Sequence, residues 1–341
     1  MDPGTHCIHT QTIALYDTMR HSVIYAAGLV AIVLTACSKE KAVKDATPYI
    51  TEVFEYMPAP GQFVNTMPLY EEGDTQETMN RKVLEAIGNN NRGLISLGGW
   101  GGYVVVGFDH TIENREGLCD FRVLGNAFGD EGGSSEPGII MVSVDANGNG
   151  LPDDPWYEIA GSAHTDPAQE AWYQAARDNG NDVALHPDYS MTYLRPEQEP
   201  AASEEEEYIL WEDILDRRGS IPKNKYHTQP YFPQWYGEDR LSFSGTCLPQ
   251  NGIDESGEGT YFVLYKFRYG YADNDTNSGA GSAVDISWAV DSRGQSVDLP
   301  GVDFIRIYTG VNQVNGWIGE CSTEIMGVED LHLLGEEIAT D

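Results

Sequence analysis

Apolar positions along the chain change period once, and that change sets the expected architecture. Thr75–Ile87 places Met79, Val83, Leu84 and Ile87 on one face at helical spacing, which predicts an amphipathic helix. Gly88 follows as the expected left-handed cap. From Leu94 onward the runs are short, β-branched and aromatic, separated by Gly, Asn and Asp. Tyr49–Tyr56, Leu94–Leu97, Gly102–Phe108, Cys119–Leu124, Gly138–Val144 and Tyr157–Ala160 read as strands. A second β block comprises Gly259–Tyr269, Ala283–Val290 and Val302–Val311. Many short strands with Gly-rich turns and one good helix predict a mostly β protein. The expected fold is a β-sandwich of jelly-roll or galactose-binding-like type.

Between the two β blocks, residues 164–249 are rich in Pro, Tyr, Trp and acids. Only Asp166–Asp178 looks helical there, and Ser203–Glu207 reads as a solvated loop. Neither β block supplies enough strands to close a core alone. The expectation is therefore one sandwich domain over 48–335 that carries a long loop-rich insertion, with 336–341 as a tail.

The start of the chain changes the picture by adding an address. Val23–Leu34 is an uncharged apolar run, too short for a comfortable membrane span and suited to a signal peptide. Leu34-Thr35-Ala36-Cys37 resembles a bacterial lipobox, so cleavage before Cys37 would leave a lipidated cysteine and a tether over 37–47. Met19 is the more natural start, which makes Met1–Thr18 an upstream extension of a signal peptide spanning 1–36. The expected product is an outer-membrane lipoprotein held by its lipid anchor alone. The formal net charge of −34 argues against nucleic acid and anionic lipid as partners, because polyanions are bound by clustered Lys and Arg. Cys119, Cys247 and Cys321 lie far apart without a CxxC pattern, and read as buried thiols rather than as a zinc or redox site.

Candidate chemistry centres on Asp145–Glu158, DANGNGLPDDPWYE. Asp145, Asn147 and Asn149 place oxygens at alternate positions before Gly150. The Leu151 carbonyl and Asp153 follow, in the manner of the first part of an EF-hand calcium loop. Trp156 stands where that loop has its bidentate Glu, so Asp154 or Glu158 would supply the missing carboxylate. A weaker second calcium site is Asp273, Asp275 and Asp285. No GxSxG, HExxH or P-loop occurs, and His110, His164, His186, His227 and His332 are isolated, so binding rather than catalysis is expected. The alternatives are a secreted glycoside hydrolase built on convergent carboxylates and an adhesive surface protein. Loop aromatics are the expected platforms for a ligand: Trp235, Tyr236, Tyr231 and Phe232 in the insertion, with Trp100 and Trp317 in Gly-rich turns.

Several stretches carry a family resemblance, in order along the chain: SLGGWGGYVVVGFDHTIEN at Ser96–Asn114, DFRVLGNAF at Asp120–Phe128, the calcium-like segment Ser135–Ser162, KNKYHTQPYFPQWY at Lys223–Tyr236, YGYADN at Tyr269–Asn274, and Asp303–His332. Together they resemble the cell-surface lipoproteins of Bacteroidetes, of the PKD-domain-containing or "cell surface protein" type. No separate PKD module is visible. The resemblance implies capture of a small nutrient ligand, a corrinoid such as cobalamin or a glycan, alongside a TonB-dependent outer-membrane transporter.

Overall fold

The computed structural model describes residues 45–128 and 133–340. The export segment and Cys37 lie outside the described residues. Six antiparallel strands form the large sheet. Its spatial order is Glu52–Met57, Tyr103–Glu113, Gly301–Thr309, Gly138–Ser143, Trp156–Ile159 and Ala289–Val290. Both sequence blocks contribute, and the C-terminal strand Gly301–Thr309 runs down the middle between two strands from the first block.

Register explains why the alternation in these strands is so regular. Val53, Val106, Ile305 and Val142 face one another across four strands, and Tyr56, Val104, Ile307 and Ile140 form the neighbouring row. A side-chain period of two puts both rows on one face. That face is covered by Met79, Val83 and Ile87 of the helix Gln76–Ile87, and by Phe121, Val123 and Val328 of a small three-stranded sheet. The small sheet pairs Phe121–Leu124 with Ala283–Val284 on one side and Gly327–Asp330 on the other. The result is a mostly β, sandwich-like fold with a dry core, in which each fully buried Val or Ile contributes about 1.5–3 kcal/mol.

The helix starts where Thr75 accepts a hydrogen bond from the Thr78 N–H, at 3.3 Å. It does not end as expected. Gly88 is extended, with φ −82°, and the positive-φ positions are taken by Asn89 and Asn90. The expected strand Gly259–Tyr269 shortens to Phe262–Leu264, and the expected helix Asp166–Asp178 to Tyr173–Asp178 after a 3-10 turn at Pro167–Gln169.

The larger correction concerns the insertion, which is not loop-rich. It folds into a four-stranded antiparallel sheet in the order Arg240–Cys247, His186–Leu194, Glu205–Asp213 and Arg218–Lys223. Glu205–Glu207, expected in a loop, opens the strand Glu205–Asp213 with its side chains in solvent. This sheet has its own core of Tyr189, Met191, Tyr193, Ile209, Ile221 and Phe243. A third cluster, with Leu248, Phe267 and Tyr271, packs on Ile139 and Tyr308 from the other face of the large sheet. Residues from Asp45 onward form one compact unit. Among the described residues no helix is long and apolar enough to cross a membrane.

Candidate functional site

The Asp145 loop joins the large-sheet strands Gly138–Ser143 and Trp156–Ile159. Gly148 and Gly150, both at φ 73°, let it turn tightly. The Asp145 carboxylate accepts from the backbone N–H groups of Asn149 (3.0 Å) and Gly150 (2.9 Å). Asn147 Oδ1 also accepts from Asn149 N–H, and Asn149 Oδ1 accepts from Leu151 N–H at 2.7 Å. The alternate oxygens therefore fold back over the loop and accept from its own N–H groups. Asp153 accepts from the side-chain amides of Asn147 and Asn149, which hold its carboxyl below the usual range. Asp154 takes the Asn147 N–H at 3.4 Å. Glu158 is not brought to the loop: it lies on the following strand, bonded to His164 Nε2 at 2.6 Å and to the Tyr308 hydroxyl.

The second trio of Asp273, Asp275 and Asp285 is not assembled. Asp275 pairs with Lys266 at 3.2 Å, and Asp285 accepts from Ser287 N–H to cap a short 3-10 turn. Asp273 joins a different group. One oxygen from each of Glu136, Asp273 and Glu324 lies within 4.8 Å of the others, the one such acidic, His or Cys trio among the described residues.

Backbone geometry fixes that trio. Asp273 accepts from the N–H groups of Asn126 and Ala127 through one oxygen and from Glu324 N–H through the other. Glu136 accepts from Ser322 N–H at 2.9 Å, and Glu324 from the Ser322 hydroxyl at 2.8 Å. Asn126 Nδ2 reaches Glu324 at 3.4 Å. No described Lys, Arg or His forms an ion pair with any of the three; the ion pairs of this fold lie elsewhere. Burial, reinforced by the neighbouring Asp273, pushes Glu136 up to about 8. Burial raises Asp273 to about 7 against its three backbone donors, and lifts Glu324 well above the carboxylate range. Burial also carries nearby Glu320 to about 7. Protons therefore stay on this group at neutral pH.

Glu136 and Glu324 form the floor of a cleft of about 650 Å³. Its mouth is aromatic: Trp317 (61% exposed), Tyr226 (71%), Phe128 and Tyr261 stand in solvent, with Phe63 and Phe262 deeper. Besides the segments that carry Glu136 and Glu324, five others line the cleft. Gln62 and Phe63 come from the turn after the first strand, Asn126 and Phe128 from the segment after the small-sheet strand Phe121–Leu124, and Asn224, Tyr226 and His227 from the loop after Arg218–Lys223. The short strand Phe262–Leu264 and the 3-10 turn Gly316–Ile318 complete the wall. Gln62 ties the wall together: its amide donates to the Ile318 carbonyl at 2.6 Å and accepts from Asn224 Nδ2 at 2.9 Å. Trp317 is presented by Gly316 and Gly319, both at positive φ. Gly319, at φ 101° and ψ −160°, adopts a backbone conformation that side-chain-bearing residues rarely take, and a Cβ there would also push on the Gln62 amide. The Trp317 indole N–H donates to the Thr260 carbonyl at 3.2 Å, which fixes one edge of an otherwise exposed ring in the cleft lining.

The other expected platforms are elsewhere. Trp100, Tyr231 and Phe232 are buried in the insertion core, at 1% exposure or less. Trp235 stacks with Tyr56 at 5.8 Å and donates to Gln76. Half-buried Tyr236 packs on the insertion core, with its carbonyl bound by Arg195. Those rings lie at the joint between insertion and sandwich, where packing claims them. Tyr261, Phe262, Phe128, Glu136 and Glu324 were not singled out from the sequence. The signal they offered was aromatic and acidic residues set in Gly-, Ser- and Thr-rich turns, a pattern shared by many ordinary turns. Comparison with protein-family models gives no match, and comparison with curated proteins gives none either.

Proposed function

We propose that this chain is a capture protein for a small nutrient molecule, and that the aromatic-mouthed cleft is where it binds. The single observation that carries the reading is the convergence of four exposed rings on one cavity with amide groups in its wall. Stacking platforms combined with a few placed polar groups suit polyhydroxylated or amide-bearing ligands, which include glycans and the amide-fringed edge of a corrinoid. A volume of about 650 Å³ falls in the usual range for small-ligand sites.

Hydrolysis fits less well. Glycoside hydrolysis needs two carboxyls whose environments drive them apart, one held protonated and one ionised. Here burial moves Glu136, Asp273 and Glu324 all in the same direction.

The sequence supports the rest of the proposal. The Leu34–Cys37 lipobox supports a lipid anchor on Cys37, and the resemblance to Bacteroidetes surface lipoproteins supports service beside a TonB-dependent, vitamin B12-type transporter at the outer membrane. The spacing of Asp145, Asn147, Asn149, the Leu151 carbonyl, Asp153 and Asp154 supports calcium as the ion of the loop. Calorimetric titration of the mature protein with a glycan panel and with cobalamin tests the reading. We expect one class to bind and Trp317→Ala to weaken it at least tenfold. Binding that is indifferent to Trp317→Ala, or no binding from either class, would sink it.

A further inference from the structure

We propose that the ligand of this cleft carries a positive charge, a protonated amine or a quaternary ammonium seated against the aromatic mouth and answered by the carboxyl groups of Glu136 and Glu324. The inference rests on reading the cleft as the capture site and names the chemical class it selects.

Three observations carry it. First, among the described residues the cleft lining contains two carboxyl groups and neither Lys nor Arg. An anionic ligand would find no counter-charge there. A neutral sugar would use the wall amides and leave the acids unanswered. Second, the mouth rings present faces that attract cations through their quadrupoles, an interaction strengthened where water is partly excluded. Lys225, the residue next to Tyr226, holds its Nζ 5.3 Å from that ring centre and so takes up that ring, which leaves a ligand cation to Trp317, Phe128 and Tyr261. Third, none of Glu136, Asp273 and Glu324 has a basic partner among the described residues, so a cation entering the cleft would itself be the counter-charge that favours loss of their protons. Behind them Glu320, 3% exposed, acts electrostatically on Glu136 and leaves its Oε2 with no hydrogen-bond partner.

An organic cation suits this arrangement better than a metal ion. A hard divalent cation wants six to eight oxygens. The trio brings together one oxygen from each of Glu136, Asp273 and Glu324, half or fewer of the ligands such an ion wants. An ammonium group needs less, one or two carboxylate contacts and a ring face.

Proton and ligand compete for the same carboxyls. Burial raises the proton affinity of Glu136, Asp273 and Glu320, so that they exchange protons around neutrality rather than near pH 4. The other titratable groups facing them are Glu324, the buried Cys321 thiol, Tyr56 from the first strand and His227 across the cleft. Of these, burial keeps Tyr56 and Cys321 neutral and lowers His227. A ligand whose own charge does not titrate therefore reads the carboxyls, and its affinity rises with pH by roughly tenfold between pH 6 and pH 9.

The test is calorimetry on the mature protein with matched probes: choline against its neutral carbon isostere 3,3-dimethylbutan-1-ol, glucosamine against glucose, and calcium chloride alone. We expect each charged member to bind at least tenfold more tightly than its neutral partner, choline to bind more tightly at pH 9 than at pH 6, and both Glu136→Gln and Trp317→Ala to erase the difference. Trp317 is exposed, so its variant keeps the test valid if Glu136→Gln proves unstable. Glucose and glucosamine binding equally, with choline inert, would overturn the charge inference and leave the cleft as a sugar site. Heat from calcium chloride that Glu136→Gln removes and Asp145→Ala spares, without a choline signal, would replace it with a metal. No heat from any probe, and none from the glycan panel or cobalamin, would remove the capture reading as well.

Discussion

Trp317 and Tyr231 are both aromatic residues of Gly- or Pro-rich loops, and they meet opposite fates. Trp317 stands 61% exposed at the cleft mouth, whereas Tyr231 is fully buried against Tyr208 in the insertion core. Trp317→Ala is therefore expected to weaken ligand binding while moving stability by no more than about 0.5 kcal/mol. Tyr231→Ala should cost about 3–5 kcal/mol, as large aromatic truncations in cores do. Thermal melts of both variants check the contrast, and equal losses would contradict it. The buried carboxyls give a second residue-scale expectation. Glu136, Asp273 and Glu320 are raised in the folded protein to about 8, 7 and 7, above their ordinary values near 4. The native state then binds protons that the unfolded chain has released, so stability falls as pH rises from about 4 toward 8. The melting temperature should drop between pH 5 and pH 8, and Glu320→Gln should flatten part of that slope; a profile that Glu320→Gln leaves unchanged would show that Glu320 does not titrate there. At this scale the sequence was only partly legible. It marks which rings lie in turns, but exposure is decided by what the insertion packs against. Asp273 was visible as an acid in a turn, yet its partners Glu136 and Glu324 lie 137 and 51 positions away in the chain.

Elements with strong local periodicity were legible, and those fixed by tertiary context were not. The helix Gln76–Ile87 has Met79, Val83 and Ile87 on one stripe, with Thr75 as its capping side chain, so sequence alone placed it to within a residue. The insertion sheet was missed although its alternation is written in the chain. Tyr189, Met191 and Tyr193 point inward and alternate with Ser190 and Thr192, and Leu241 and Phe243 alternate with Arg240, Ser242 and Ser244. The prolines and the acidic run between those strands masked the pattern, and pairing such distant segments is settled by the core they share. The Asp145 loop is the element whose chemistry is easiest to test. Its oxygens are held by the loop's own N–H groups, so a bound cation would add to a turn that is already shaped. Saturating calcium at a hundredfold above its dissociation constant adds about 2.7 kcal/mol. Chelator should then lower the melting temperature, magnesium should restore it poorly, and Asp145→Ala should erase the calcium effect. A melting curve indifferent to chelator would reduce the loop to an Asn/Gly turn.

Over the whole molecule, the sandwich-like architecture followed from strand count and turn spacing, and the need for both β blocks in one sheet followed from neither having enough strands. Cys119, Cys247 and Cys321 are buried thiols with no disulfide among them, where the spacing alone left room for a single bridge. Burial pushes Cys247 up to about 12 and Cys321 further above the ordinary thiol range. An aromatic disulfide reagent should leave all three untouched in the native protein and modify three per chain in denaturant, counting the described thiols; fast reaction without denaturant would contradict the packing. The central strand Gly301–Thr309 has a consequence in time. Its neighbours Tyr103–Glu113 and Gly138–Ser143 leave the ribosome long before it, by on the order of ten seconds or more at ordinary synthesis rates. Until it arrives, the large sheet is two fragments with open inner edges, and its defining pairs close loops of well over a hundred residues, which makes folding slow. Through most of synthesis the nascent chain therefore carries two unpaired strand edges, the feature that most invites pairing with another chain.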